Sequence, residues 1–190
     1  MTFFADPTDP SMLSLVLLDV ARALQEDLGS GDLTAGLIDP TRRARARVLA
    51  RESAVICGGP WATAAVRALD PTARITWHVQ EGQRCTADQV VLEVEGSARA
   101  LLSAERTALN FLQMLSAVAT KTRTYVDAVA GTKAHIVDTR KTIPGLRLAG
   151  GMIVAYVGFT MLFPAKVTET DAQVDMAGES TARIRDIASI

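Results

Sequence analysis

The hydrophobic pattern at the start of the chain predicts a helix over residues 10–28. Asp9 can cap this helix, Pro10 suits its first position, and Gly29 favours an end there. Apolar residues recur at helical spacing and predict one buried face: Leu13, Leu17, Val20, Ala21, Leu24 and Leu28. The segment is therefore predicted to be an amphipathic helix that packs on a core.

An acidic, glycine-rich stretch, EDLGSGDLTA (26–35), follows the predicted helix. Glycine-rich loops can bind phosphate through their backbone N–H groups. Here the carboxylates of Glu26, Asp27 and Asp32 would repel a phosphate. The stretch is therefore interpreted as a turn between a helix and a sheet.

From residue 44 onward the pattern changes to the alternation of half-buried strands. It predicts strands over 44–57, 74–82 and 89–96. A short helix is predicted over 58–71, and its inward residues are Trp61, Ala65, Ala68 and Leu69. His78 has no neighbouring acid or cysteine and is interpreted as an ordinary strand histidine.

Five arginines fall between Arg42 and Arg51, within or beside the first predicted strand. One interpretation is a solvated strand face, on which charged side chains alternate with small ones. The other is a surface for an anion or a partner protein. The pattern leaves both interpretations open.

A long helix is predicted from about Ala98 to Val129. Leucines at helical spacing predict its buried face: Leu102, Leu109, Leu112 and Leu115. Glu105 and Arg106 interrupt this apolar run. Charges at such positions are costly unless they are paired or reach a site.

A strand is predicted after Gly131, at AHIVDT (134–139). In α/β units, functional residues lie at the carboxyl ends of strands, which is where Thr139, Arg140 and Lys141 stand. Arginine forks two donors onto a carboxylate or phosphate, lysine adds a compact charge, and threonine adds a hydroxyl. The pattern predicts an anion site, with a solvated loop as the alternative.

The composition limits the classes of function. The chain has 190 residues, 48% hydrophobic and 22% charged, which is typical of one large or two small globular domains. Its net charge of −1 argues against a general nucleic-acid binder. Cys57 and Cys85 have no metal-ligand spacing, and the first ten residues do not resemble a secretory signal. A cytoplasmic protein is expected.

Two long motifs, ERTALNFLQMLSAVAT (105–120) and GTKAHIVDTRKTIPGLR (131–147), resemble those of quinolinate phosphoribosyltransferases. The stretch EDLGSGDLTA is similar to the N-terminal loop of that family. The resemblance covers about residues 11–147. It implies an α/β fold, in which an α+β N-terminal sandwich (1–110, with the leading helix) precedes the start of an incomplete α/β barrel (111–147).

The resemblance also implies a reaction and a set of binding residues. The family joins quinolinate to phosphoribosyl pyrophosphate with Mg²⁺, and forms nicotinate mononucleotide, pyrophosphate and CO₂. It works as a homodimer in which each site borrows an arginine, matched here by Arg106, from the partner. Arg140 and Lys141 match residues that hold the quinolinate carboxylates and the phosphoribosyl group. Thr139 is predicted beside them, and no catalytic residue or metal ligand is assigned.

The resemblance is expected to stop after Arg147, so that residues 148–190 form a divergent tail. Residues 148–165 carry no charge. Three interpretations of the tail stay open: a frameshift product, the buried part of a shortened relative, or a membrane-spanning segment. A closed barrel needs strands that this tail is not expected to supply, so impaired activity is expected of this chain.

Two alternative functions accompany this prediction. The first is that the chain is a non-catalytic fragment that serves only in folding or dimerisation. The second is that it is a phosphoribosyltransferase-like protein of the kind associated with molybdenum transport.

Overall fold

The computed structural model describes residues 10–137 and 145–146. Its elements, in chain order, are α1 (Pro10–Leu28), α2 (Leu33–Gly36), β1 (Arg43–Leu49), β2 (Ala54–Val55), α3 (Gly59–Leu69), β3 (Arg74–Trp77), β4 (Arg84–Cys85), β5 (Val90–Ser97) and α4 (Ala98–Ala128). The strands form two antiparallel sheets, ordered β1-β5-β3 and β2-β4. This content confirms the predicted α/β class. Within the described ranges, no helix is long and apolar enough to cross a membrane.

Helix α1 has the predicted bounds, and its predicted buried face is confirmed only in part, at Val20 and Leu24. The buried residues recur every four positions: Met12, Val16, Val20 and Leu24. Leu13 and Leu17, predicted to be inward, are 53% and 50% exposed, and Ala21 is also exposed. The helix carries two adjacent apolar stripes, and contact with α3 and α4 selects one of them. Asp9, the predicted cap, lies outside the described residues.

The predicted strand over 44–57 is divided in the structure. β1 ends at Leu49, where its pairing with β5 shifts register. The chain then turns, and β2 takes up only Ala54 and Val55. The predicted strand over 74–82 is likewise shorter, because β3 ends at Trp77.

Two hydroxyl groups of α4 form hydrogen bonds with the backbone at the end of β2 and just after it. Thr120 Oγ1 accepts a hydrogen bond of 2.8 Å from the Val55 amide. Ser116 Oγ accepts one of 3.0 Å from the Cys57 amide and donates one of 3.1 Å to the Cys57 carbonyl. The helix thus satisfies the backbone groups on one edge of the segment, while the other edge pairs with β4.

Helix α4 buries small side chains where leucines were expected. Leu112 and Leu115 are buried as predicted, whereas Leu109 is half-buried and Leu102 is exposed. The alanines and other small residues of the same helix lie nearest its neighbours, so that α3 and β2 approach it closely. In α3, Trp61 and Ala65 are buried and Leu69 is half-buried, but the prediction for Ala68 is wrong because it faces solvent.

The core has two parts. The larger lies among α1, α3, α4 and β2, where the ring of Trp61 stacks on Phe111 with centroids 6.1 Å apart. The smaller lies between the β1-β5-β3 sheet and the first turns of α4, and includes Leu92, Val94 and Leu101. This second core fixes the start of α4, and with it the position of Arg106.

The first strand is more exposed than the half-buried strand that was predicted. Six of the seven residues of β1 are exposed, and Val48 is partly buried. A groove of about 730 Å³ separates its apolar side from α4; Ala44 and Ala46 line it on the strand and Leu102 on the helix. The part of the chain that the structure describes does not cover this groove.

Candidate functional site

Arg106 is the arginine that is predicted to enter the active site of the other subunit of a homodimer. It lies on the solvent side of α4. Its side chain is 73% exposed. Its Nη1 donates a hydrogen bond of 2.7 Å to Oδ1 of Asp27, whose side chain is 19% exposed. The guanidinium is therefore directed outward while one of its edges is held by a carboxylate.

The acidic stretch 26–35 is attached to α4 by a second contact. Ser103 Oγ donates a hydrogen bond of 2.8 Å to Oδ2 of Asp32. The other oxygen of Asp32 accepts one of 2.9 Å from the Ala35 amide and so caps α2. The Ala35 amide, followed by the Ser103 hydroxyl, lowers the pKa of Asp32.

A third contact completes the attachment. Nε of Arg99 donates to the Ile38 carbonyl at 2.5 Å, and its Nη2 donates to the Gly36 carbonyl at 3.2 Å. Arg99, Ser103 and Arg106 are spaced by four and three residues, so they share one face of α4. Residues 27–38 are therefore held against the face of the helix that carries Arg106.

The remaining predicted site residues, Thr139, Arg140 and Lys141, lie outside the described residues. The predicted strand that leads to them is described only over 134–137, where the structure contains no strand pairing. The residues that precede it end α4, and Gly131 adopts a φ of +80° that suits glycine. Of the four predicted binding residues, Arg106 is therefore the one whose surroundings the structure describes.

Sequence reasoning missed Asp27 and Asp32 as partners of α4. It treated their carboxylates only as groups that repel phosphate. The available signal was Arg106 within an apolar run of the helix, since a cation there needs a partner. A loop with two carboxylates directly before the sheet was a candidate to supply it.

Two arginines of β1, Arg45 and Arg47, form ion pairs across the outer face of the sheet. Arg45 contacts Glu93 at 2.5 Å and Glu95 at 3.4 Å, and Arg47 lies 3.9 Å from Glu93. The Arg45 hydrogen bond is the first cause of a lowered pKa for Glu93. These contacts favour the solvated-face interpretation for Arg45 and Arg47. His78, interpreted as a strand histidine, lies one residue beyond the end of β3, and its Nε2 is 3.6 Å from Glu93 of β5.

The half-buried carboxylate of Glu81, from the segment between β3 and β4, lies beside the first residues of α3. Its oxygens accept hydrogen bonds of 2.7 and 2.9 Å from the amides of Gly58 and Gly59. Burial raises its pKa, and burial followed by the charge of Glu81 raises the pKa of the Cys57 thiol. Because both oxygens are engaged, Glu81 acts as a structural cap of α3.

The described residues do not fit a metal site. No group of three or more His, Cys, Asp or Glu side chains within 10–137 and 145–146 is arranged to hold a metal ion. Asp27 is already engaged by Arg106, and Asp32 by Ser103 and the Ala35 amide.

Comparison with protein families gives two consecutive matches. A model described as quinolinate phosphoribosyl transferase, N-terminal domain, matches residues 32–116, and its C-terminal domain counterpart matches residues 118–161. The matches meet at residue 117, inside α4. The predicted domain boundary between residues 110 and 111 stays a prediction. The second match extends beyond Arg147, where the resemblance was expected to stop.

Similar proteins carry related names. The chain is 43% identical over 125 residues to a probable nicotinate-nucleotide pyrophosphorylase (carboxylating) of Synechocystis sp., covering 66% of this chain and 42% of that protein. It is 42% identical over 135 residues to the nicotinate-nucleotide pyrophosphorylase (carboxylating) of Mycobacterium leprae, covering 67% and 46%. The chain thus spans somewhat less than half the length of these relatives.

Solved structures give the same likeness. The nicotinate-nucleotide pyrophosphorylase of Francisella tularensis superposes with a TM-score of 0.74 at 38% identity, over 77% of this chain and 52% of that one. NadC of Streptococcus pyogenes superposes with a TM-score of 0.74 at 33% identity, over 82% and 54%. With two consecutive domain models of one family matched between residues 32 and 161, the chain belongs to the quinolinate phosphoribosyltransferase family.

Proposed function

We propose that this protein acts as a quinolinate phosphoribosyltransferase in NAD biosynthesis. The observation that carries the proposal is the consecutive match to both family domains, together with relatives named nicotinate-nucleotide pyrophosphorylase. The outward guanidinium of Arg106 supports it, because quinolinate carries two carboxylates and arginine binds carboxylates through paired hydrogen bonds.

The proposed reaction transfers a phosphoribosyl group to a pyridine nitrogen. The nitrogen of quinolinate attacks the anomeric carbon of phosphoribosyl pyrophosphate, the C–O bond to pyrophosphate breaks, and an N-glycosidic bond forms. The carboxylate at ring position 2 then leaves as CO₂, and the electron pair left on that carbon takes up a proton. The product is nicotinate mononucleotide.

The cations have binding roles in this proposal. Arg140 and Lys141, with the hydroxyl of Thr139, hold the quinolinate carboxylates and the phosphoribosyl group. Arg106 contributes a further cation from the partner of a homodimer. Together they hold two anionic substrates in line and stabilise the charge of the departing pyrophosphate.

Mg²⁺ enters the proposal only as a component of the reaction. The family resemblance implies it, but the described acids do not fit a site for it. No described residue is therefore assigned to the ion.

A cytoplasmic location and the absence of nucleic-acid partners are also part of the proposal. Cys57 and Cys85 are both free thiols in the buried core, which suits a reducing compartment. The net charge of −1 does not favour binding to nucleic acid or to an anionic membrane surface.

The test is product formation by the purified 190-residue chain. Quinolinate, phosphoribosyl pyrophosphate and Mg²⁺ are mixed with the protein, and nicotinate mononucleotide is measured by mass spectrometry. Product is expected with quinolinate, whereas nicotinate, which lacks one carboxylate, should give far less. Arg140→Ala and Lys141→Ala should each remove most of the product.

The alternatives are outcomes of the same experiment. A folded, dimeric chain that forms no product above the control without protein would contradict the proposal and favour a non-catalytic folding or dimerisation module. Turnover of a different nucleobase analogue, with none of quinolinate, would favour a phosphoribosyltransferase-like protein such as those associated with molybdenum transport.

A further inference from the structure

Asp27 occupies a position from which it can control the direction of Arg106. It lies in the last turn of α1, one residue before the helix ends at Leu28. Leu24, one turn earlier, is buried in the core, so the backbone that carries Asp27 is anchored. Its carboxylate, only 19% exposed, is thus a fixed acceptor for the guanidinium.

Arg106 needs such an acceptor to be ordered. An arginine side chain that is 73% exposed can adopt many rotamers, and restricting them has an entropic cost. The hydrogen bond of 2.7 Å to Asp27 restricts them before any ligand arrives. The guanidinium has five N–H donors in a planar fork, so those not used by Asp27 can still bind a ligand carboxylate.

The neighbouring contacts make this arrangement rigid. Ser103 and Arg99 hold residues 32–38 on the same face of α4, through Asp32 and the carbonyls of Gly36 and Ile38. Asp27 is thus fixed on one side by the core contacts of α1 and on the other by a segment bonded to α4. A simple stabilising role is a poor explanation, because an ion pair with a largely exposed partner contributes little to stability.

We propose that Asp27 is a positioning residue, which holds the Arg106 guanidinium in the direction required to bind a carboxylate of a pyridine dicarboxylate. The inference rests on the proposed function. It assigns a role to the acidic stretch 26–35 that neither the motif nor the family match supplies.

Because Asp27 is negatively charged, positioning and simple electrostatics predict opposite changes in quinolinate affinity when the charge is removed. Quinolinate is a dianion, so an ordinary electrostatic argument expects removal of a nearby carboxylate to strengthen its binding. Positioning predicts the opposite. Asp27→Asn should weaken quinolinate binding up to about tenfold, because the neutral amide oxygen is a weaker acceptor and the ligand must then order the guanidinium itself.

Titration calorimetry of the full chain with quinolinate provides the test. Glu26→Gln is the matched control, because it removes the same charge from an exposed side chain one position away. Its affinity should equal that of the wild type or be slightly higher. Asp27→Glu should recover part of the affinity lost in Asp27→Asn, and the melting temperature should change little in all three variants.

Arg106→Ala separates positioning from general effects on the fold. In the Arg106→Ala background, Asp27→Asn should cause no further loss, because its effect acts through the guanidinium. Equal losses in both backgrounds, unchanged affinity in Asp27→Asn, or tighter binding in that variant would each overturn the inference. If the wild type binds no quinolinate, the proposed function falls, and the inference falls with it.

Discussion

Two identical tripeptides, Asp-Pro-Thr at 39–41 and at 70–72, form the same local turn with different consequences. In each, one oxygen of the aspartate accepts hydrogen bonds from the amide and the hydroxyl of the threonine. Only Asp70 also accepts a hydrogen bond, of 2.8 Å, from the distant Ser97 amide at the start of α4. Asp70 is buried, whereas Asp39 is exposed.

Asp70→Ala is therefore expected to destabilise the protein more than Asp39→Ala. The first variant leaves the partly buried Ser97 amide without its acceptor, at a cost of about 1 kcal/mol. The second disrupts only a surface turn. Urea unfolding followed by circular dichroism measures both free energies of unfolding, and equal losses would contradict this account of Asp70.

The contribution of Asp70 should also depend on pH. The Thr72 hydroxyl, followed by the Ser97 amide, holds the pKa of Asp70 below its usual range. A carboxylate with a depressed pKa in the folded state stabilises the fold at pH values above its unfolded pKa, about 3.9. That stability is lost as the pH falls through the folded pKa.

The difference in unfolding free energy between wild type and Asp70→Ala should therefore be constant near neutral pH and shrink below about pH 4. Urea unfolding at a series of pH values measures it. A difference that grows as the pH falls would show that Asp70 does not have a depressed pKa in the folded protein.

At the level of elements, α1 shows what periodicity can and cannot predict. Its bounds follow from Pro10 and Gly29, because these residues favour the start and the end of a helix. Its buried face follows only in part: Val20 and Leu24 are buried as predicted, whereas Leu13 and Leu17 form an exposed apolar stripe beside them. Only the packing of α3 and α4, which is not encoded locally, selects between them.

Leu24→Ala and Leu17→Ala test this choice of face with the same substitution in one helix. Leu24 is 7% exposed, so its truncation should reduce the free energy of unfolding by about 2–5 kcal/mol. Leu17 is 50% exposed, and its truncation should change the free energy of unfolding by less than about 0.5 kcal/mol. Chemical denaturation measures both, and a larger loss for Leu17→Ala would show that the face is wrongly assigned.

Strand lengths were predicted less well than helices, for a related reason. The alternation over 44–57 is continuous in sequence, but β1 ends at a register shift and the chain then pairs with hydroxyls of α4. Such hydrogen bonds join residues that are 65 and 59 positions apart along the chain. The hydrophobic pattern of a local segment cannot predict hydrogen bonds to residues so distant in sequence.

At the scale of the whole molecule, the sequence predicts which residue types form the candidate site, but not how they are arranged in space. Arg140 and Lys141 are predicted from their residue types at the end of a strand, whereas Arg106 is assigned by the family resemblance. The partner of Arg106 was missed, since Asp27 lies 79 positions away along the chain. In the proposed dimer, the approach of Arg106 to Arg140 and Lys141 depends on how two copies pack, which periodicity does not encode.

The most direct measurement of the central claim is the release of labelled CO₂ from quinolinate that carries the label in its carboxylate at position 2. The 190-residue chain is assayed with and without phosphoribosyl pyrophosphate. The account predicts release only when phosphoribosyl pyrophosphate is present, in equal amount to nicotinate mononucleotide, and greatly reduced in Arg106→Ala. Release no greater than in a sample without protein, from a chain shown to be folded, would contradict it.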